Sequence, residues 1–202
     1  MKKGIYLKIY FSFFGKVVSY LMNIIGAMHK PFMVYGFYNK VSNDFNLRTR
    51  ISSSAKFLSR SKADISDNVW IWHYSIIDAS AGLSIEEGVQ IGAWVGIFTH
   101  SSHNAIRLNG SKYFELAQSE RVGYSMEKVI IGKYTFIGAS SIILPGVTLG
   151  KGCIVSAGSV VNKSFPDYSI ISGNPAKLVG STETVDKYFL KNESIKSNYY
   201  NC

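Results

Sequence analysis

The sequence predicts an all-β chain wound as a parallel β-helix of about five coils, with an α-helical arm before it and a short tail after it. Three observations carry that prediction. Aliphatic residues at Ile131, Ile137, Ile143, Leu149, Val155 and Val161 return every six positions without a slip. A small or slender residue stands two places before each return: Thr135, Ser141, Val147, Cys153 and Ser159. Glycine often follows the aliphatic, as at Gly132, Gly138 and Gly150. A helix repeats at 3.6 residues and a strand at two, so neither holds a period of six on one face. A chain that turns a corner every six residues does. Three corners close a triangular coil of eighteen residues, and stacked coils pair as parallel strands about 4.8 Å apart.

The composition suits one domain with a substantial core: 202 residues, 47% hydrophobic and 17% charged. Two cysteines, Cys153 and Cys202, are too few for a disulfide framework and match no zinc spacing. That reads as a reducing compartment. The formal charge of +9 is uneven. Lys2, Lys3, Lys8, Lys16, Lys30 and Lys40 all precede the first acid, Asp44. Such an arm favours anionic partners, though nothing resembles a nucleic-acid recognition motif and none is expected.

Residues 1–44 form the arm. In "GIYLKIYFSFFGKVVSYLMNIIGAM", Lys8, Ser12, Lys16, Ser19 and Asn23 recur at steps of three or four, one stripe of a helix that Gly4 and Gly26 extend. Lys16 would sit near mid-bilayer in a spanning helix, at about 2.5–3.5 kcal/mol on insertion scales. It also interrupts any signal-peptide core, and no cleavage site is evident. The expectation is an amphipathic helix whose apolar face packs on the body or a neighbouring subunit, or lies peripherally on a membrane. "HKPFMVYGFYNK" reads as a connection broken by Pro31 and Gly36.

The repeat domain spans 45–180. Its earlier coils are the sets Phe45, Ile51, Phe57; Ile65, Ile71, Ile77; and Ile85, Ile91, Ile97. The steps Phe57 to Ile65 and Ile77 to Ile85 are eight, and Ile97 to Ile131 is thirty-four. All three irregular steps fall at the same corner of successive coils. One prism edge therefore bulges twice and then throws out a loop within 98–130. A loop that long in a solenoid is usually functional. It carries His100, His103, Arg107, Lys112, Tyr113, Phe114, Arg121 and Tyr124. Residues 181–202 form a partly helical tail.

With its hexads, its His-bearing loop and the closing run "VVNKSFPDYSIISGNPAKLVG", the chain resembles the left-handed β-helix acyltransferases. Within them it is most similar to sugar and polysaccharide O-acetyltransferases of the galactoside, maltose and capsule type. That resemblance covers about residues 45–180. It implies the left hand, a homotrimer with sites between subunits, and acetyl-CoA as co-substrate with no metal.

It also implies a loop histidine as general base toward an acceptor hydroxyl, a backbone N–H for the oxyanion, and no acyl-enzyme. "SSHN" is the better match to the family's segment, so His103 is the expected base, with His100 in reserve. Asn104 replaces an acidic residue of some relatives, which leaves the imidazole's orienter open. Asp78, one coil earlier at the same corner, falls where relatives contact the acceptor. Ala139 and Ala157 fall beside the thioester and pantetheine. Asn162 and Lys163 stand where relatives often have a Thr-Lys pair, and Lys177 in "GNPAK" where a cation meets the nucleotide phosphates.

The expected activity is O-acetylation of a carbohydrate in the cytoplasm: a bacterial surface polysaccharide such as capsule, O-antigen or lipooligosaccharide. Arg107, Tyr113 and Arg121 would favour an anionic or sialylated acceptor. N-acetylation of an amino sugar is the alternative, but residues 1–44 are too short and apolar for the extra nucleotide-binding domain usual there. A non-catalytic scaffold is the alternative of another class. A γ-class carbonic anhydrase needs three zinc ligands in a spacing that His29, His73, His100 and His103 do not match.

Overall fold

A computed structural model describes Lys8, residues 11–28 and residues 30–200. Gly4, His29, Cys202 and the first two lysines lie outside the described residues. The chain divides into two units, residues 1–32 and 33–202.

In the first unit, α1 runs Phe13–Met28. Ser12, Lys16, Ser19 and Asn23 follow one another along it at helical steps, as the stripe requires. Its large apolar residues are all exposed, from 38% at Val18 to 85% at Phe13. Among the described residues no helix is long and apolar enough to cross a membrane.

The second unit is a parallel β-helix with three faces. The first stacks Asp44–Ser52, Trp70–Ile71, Gln90–Ile91, Phe136–Ile137, Ile154–Val155 and Ser169–Gly173. The second stacks Lys56–Leu58, Ile76–Asp78, Gly96–Ile97, Ile142–Ile143 and Val160–Val161, and the third Ala63–Ile65, Leu83–Ile85, Val129–Ile131 and Thr148–Leu149. Parallel register sets like on like: Ile51 on Ile71, Ile71 on Ile91, Ile91 on Ile137, Ile137 on Val155 and Val155 on Ile171. The other two columns run Phe57, Ile77, Ile97, Ile143, Val161 and Ile65, Ile85, Ile131, Leu149, Phe165. From Ile65 and Ile71 on, the inward aliphatics of all three columns are buried, which is the physical content of the period.

The slender residues point inward beside them. The hydroxyls of Ser75, Thr135 and Ser141 donate to carbonyls of the next coil (Gly92, Gly150, Ser156) at 2.9–3.1 Å. Each of these three hydroxyls thus finds a partner without leaving the core.

The first set of hexads is one residue too generous. Phe45 is 58% exposed and lies in an antiparallel hairpin of β1 (Met33–Asn39) with β2 (Asp44–Ser52), opposite Tyr38. Its ring covers Gly36, where a Cβ would approach it to 2.5 Å. The stretch read as a broken connection is therefore β1, with Phe37 buried at the helix end. A second antiparallel pair, Ser169–Gly173 with Ala176–Ser181, follows the last coil. The first face therefore ends in antiparallel pairing at both ends, where parallel stacking would otherwise leave an open edge. The tail is partly helical, as expected, in α3 (Thr182–Phe189) and a turn at Glu193–Lys196; Tyr200 returns to stack beside Tyr134.

All three irregular steps fall at the corner between the second and third faces. The two short ones are turns at Ser59–Lys62 and Ala79–Gly82. The long one is a loop whose neck is an antiparallel ribbon, His100–Ser101 against Ser125–Met126. Beyond it lie α2 (Ala105–Asn109) and two short 3₁₀ turns.

Candidate active site

The neck of the loop grows from the residue that ends the second face one coil below. Asp78 closes the strand Ile76–Asp78 and is fully buried. Its Oδ2 accepts hydrogen bonds from the Thr99 backbone N–H at 2.8 Å and the Thr99 hydroxyl at 2.7 Å. The same oxygen lies 2.8 Å from His100 Nδ1. Its Oδ1 accepts from the Ser80 N–H at 2.9 Å and the Ser80 hydroxyl at 2.5 Å. Burial pushes the carboxyl pKa up, but the Ser80 and Thr99 hydrogen bonds outweigh it and hold the group well below the usual carboxylate range.

An ionised carboxylate only accepts, so His100 carries its proton on Nδ1 and leaves Nε2 as an acceptor. The imidazole is one-third exposed and stacks on Tyr124, 6.1 Å between centroids and 8° from parallel. A ring fixed by a buried anion on one nitrogen and open on the other is the arrangement of a general base.

His103 is held otherwise. Its Nδ1 meets the Ser101 hydroxyl at 2.7 Å in an exposed part of the loop. Among the described residues no hydrogen bond joins the Asn104 side chain to either ring; its Oδ1 accepts from Arg107. The better-positioned imidazole is thus His100, in "FTHS", not His103 in "SSHN". The sequence match weighed the local tetrapeptide, whereas the orienting partner comes from twenty-two residues away, one coil below.

Asp78 lies beside the loop's base; both its oxygens accept hydrogen bonds and none of its surface is exposed. Thr99, Ser80 and the stacked Tyr124 complete the cluster. The signal for Thr99 was present: it directly precedes His100, two places past Ile97.

Arg107 and Arg121 brace the loop. Arg107 donates to the His103 carbonyl and, at 2.7 Å, to Asn104. Arg121 donates to the carbonyls of Tyr113 and Leu116 at 3.0 and 3.2 Å and lies 4.3 Å over the Tyr113 ring. Neither guanidinium pairs with a carboxylate among the described residues. Arg121 lines an open hollow of about 480 Å³ with Gln118, Ser119, Tyr124 and Met126; Tyr124 and Met126 are the residues that stack on and pair with His100.

The other expected residues stand elsewhere on the prism. Ala139 and Ala157 lie at the corner between the first and second faces, on adjacent coils, with the Gly158 N–H donating to the Ala139 carbonyl at 2.9 Å. The spacing there is tight: a Cβ at Gly138 would stand 2.5 Å from the Ala157 nitrogen. Gly158 beside it faces open space. Asn162 and Lys163 are exposed at the His-loop corner of the last coil, and Lys177 is exposed in the strand Ala176–Ser181. His100 and the two alanines are therefore not brought together within one chain.

Residues 128–163 match the sequence profile described as "Hexapeptide repeat of succinyl-transferase". That stretch is a hexapeptide repeat. The chain is similar to YvoF of Bacillus subtilis (strain 168), an acetyltransferase by inference, with 41% identity over 68 residues, 34% of this chain and 40% of that one. It is also similar to YJL218W of Saccharomyces cerevisiae, likewise an inferred acetyltransferase, with 33% identity over 117 residues, 57% and 54% of the two chains. The matches thus span about half the length of these curated relatives, or less.

Among solved structures, this chain resembles a maltose O-acetyltransferase from Clostridium difficile 630 (TM-score 0.51, 22% identity, 64% of each chain). It also resembles a mutant form of AntD, an N-acyltransferase from Bacillus cereus, in complex with dTDP and coenzyme A (TM-score 0.52, 26% identity, 74% of this chain and 89% of that one). The first likeness is one of fold, and such neighbours imply the left-handed winding.

Proposed function

We propose that this chain is an acyl-CoA-dependent O-acetyltransferase acting on a carbohydrate hydroxyl, with His100 as general base and Asp78 as its positioning residue. The observation that carries the reading is the buried Asp78 carboxylate fixing His100 Nδ1 at 2.8 Å at the neck of the loop. Nε2 takes the proton of the acceptor hydroxyl as its oxygen attacks the thioester carbonyl carbon. The C–S bond of the tetrahedral intermediate then breaks, and the imidazolium returns the proton to the leaving thiolate. Nothing is left on the enzyme, so no nucleophilic serine or cysteine takes part.

The narrow slot at Ala139 and Ala157, flanked by the open space at Gly158, suits the thin pantetheine arm, and exposed Lys163 and Lys177 suit its phosphates. The slot and His100 lie at opposite ends of the second face, a side of six residues, up to roughly 20 Å. A site uniting them therefore takes His100 from one copy and the slot from its neighbour, which supports a homotrimer. On the slot's corner, one coil below Ala139, Trp94 stacks on Tyr74 at 5.9 Å and 10°, with both rings at least half exposed. Such a platform suits the apolar face of a sugar ring. Arg107 and Arg121 favour an anionic acceptor such as a sialylated or uronic-acid glycan of a capsule, O-antigen or lipooligosaccharide.

The test is thiol release from acetyl-CoA with neutral, sialylated and uronic-acid glycans, and with amino sugars. Wild type is run beside His100→Ala and His103→Ala. Loss by about 10²–10⁴-fold in His100→Ala alone is the expected result. Loss confined to His103→Ala refutes the assignment. Turnover with amino sugars only establishes N-acyl transfer, the second reading that the likeness to AntD supports. Absence of coenzyme A binding refutes acyl transfer altogether.

A further inference from the structure

We propose that α1 and its lysines form an in-plane anchor for an anionic phospholipid surface. The helix has sixteen residues, about 24 Å, too short to cross a bilayer core of about 30 Å. Ten of its residues are large and apolar, and all ten are exposed: Phe13, Phe14, Val17, Val18, Tyr20, Leu21, Met22, Ile24, Ile25 and Met28. A single helix of this length is marginal in water, and one that presents its apolar side chains to solvent needs a cover.

The sequence decides what the cover is. Ser12, Lys16, Ser19 and Asn23 follow the stripe opposite the widest apolar arc, so the helix can lie flat with the stripe toward water. Lys8 and Lys30 flank it, and residues 1–43 hold six lysines and no acid. A second copy of the arm would double the lysines and bring no carboxylate to offset them. A surface of lipid phosphates offers the charge the arm lacks and an apolar layer for the side chains. This inference stands apart from acyl transfer, since no residue of the proposed site lies in the arm.

The full chain would be floated with phosphatidylcholine vesicles with and without phosphatidylglycerol, at low and high salt. All three tryptophans lie in the β-helix, so a Tyr20→Trp variant compared with wild type reports the arm's burial by a blue shift. Expected are flotation that requires phosphatidylglycerol, release by salt, and a Tyr20→Trp blue shift with those vesicles alone. Lys16→Glu should weaken partition about tenfold, on the scale of one to two surface charges. Leu21→Asp with Ile25→Asp should abolish it while leaving the unfolding of the β-helix unchanged. Flotation indifferent to phosphatidylglycerol and to Lys16→Glu overturns the charge argument. No flotation at any composition overturns the anchor, and so does a change of oligomeric state, read by light scattering, caused by the Asp pair in lipid-free buffer.

Discussion

Replacing Asp78 by asparagine tests the core of the catalytic proposal. The amide fits the same space but puts an NH₂ where the carboxylate had an oxygen. Turned toward Thr99, that NH₂ would face both the Thr99 N–H and the imidazole Nδ1–H; turned toward Ser80, it faces one backbone N–H. Thr99 is buried and Ser80 partly exposed, so the second orientation costs less. It leaves one N–H without its acceptor and makes the remaining bonds neutral instead of charge-assisted, together roughly 2–4 kcal/mol. For a chain of this size that lowers the unfolding temperature by roughly 5–15 °C.

Turnover should fall about 10²-fold, because the imidazolium formed during proton transfer loses its counter-charge. Thermal unfolding at a series of pH values checks the stability part. The folded-state pKa of Asp78 lies below its unfolded value, so its stabilisation is complete above about pH 4.5 and is lost progressively as pH falls from there toward the folded value. The gap between wild type and Asp78→Asn should therefore be flat from about pH 7 to about 4.5 and narrow below. Unchanged unfolding with full turnover would refute the reasoning.

Three further outcomes follow from the geometry. Trp94 and Tyr74 hold bulky rings at left-handed φ of 56° and 60°. Trp94→Asn should leave stability within about 1 kcal/mol by relieving that strain, yet raise KM for a glycan acceptor several-fold in a steady-state assay. Gly138→Ala should destabilise by about 1–3 kcal/mol in urea unfolding and weaken coenzyme A binding, since the new methyl meets coil backbone at 2.5 Å. Cys153 is fully buried and burial pushes its thiol pKa up, so in a Cys202→Ser variant a thiol reagent should label the chain only at the rate of unfolding.

The columns of the β-helix were legible because each hexad repeats one physical demand, an aliphatic inside a corner. The irregular corner was legible for the same reason: the steps of eight and thirty-four interrupt only one column. Phe45 was misplaced because six residues before Ile51 an aromatic satisfies the spacing equally well in a hairpin, and β1 had no period to announce it. The proposed base was harder. Which imidazole is oriented depends on a carboxylate one coil away, and stacking places residues twenty-two apart side by side at an offset that the two-residue insertion in the turn at Ala79–Gly82 blurs. The brace that Arg121 forms on Tyr113 and Leu116 left no periodic trace at all.

The antiparallel ribbon at His100–Ser101 and Ser125–Met126 has a consequence for how such a protein diversifies. Everything beyond it enters and leaves the prism through a two-strand gate about 5 Å wide. The coils above and below close their columns without it, Ile97 to Ile143 and Ile85 to Ile131. The segment between Ser102 and Tyr124 can therefore be lengthened, shortened or exchanged as a cassette while the imidazole and its carboxylate stay on the scaffold side of the gate. On the proposed reading, acceptor choice and proton transfer are then separable traits, free to change at different rates, and a transplanted loop would arrive at the proposed base already in place.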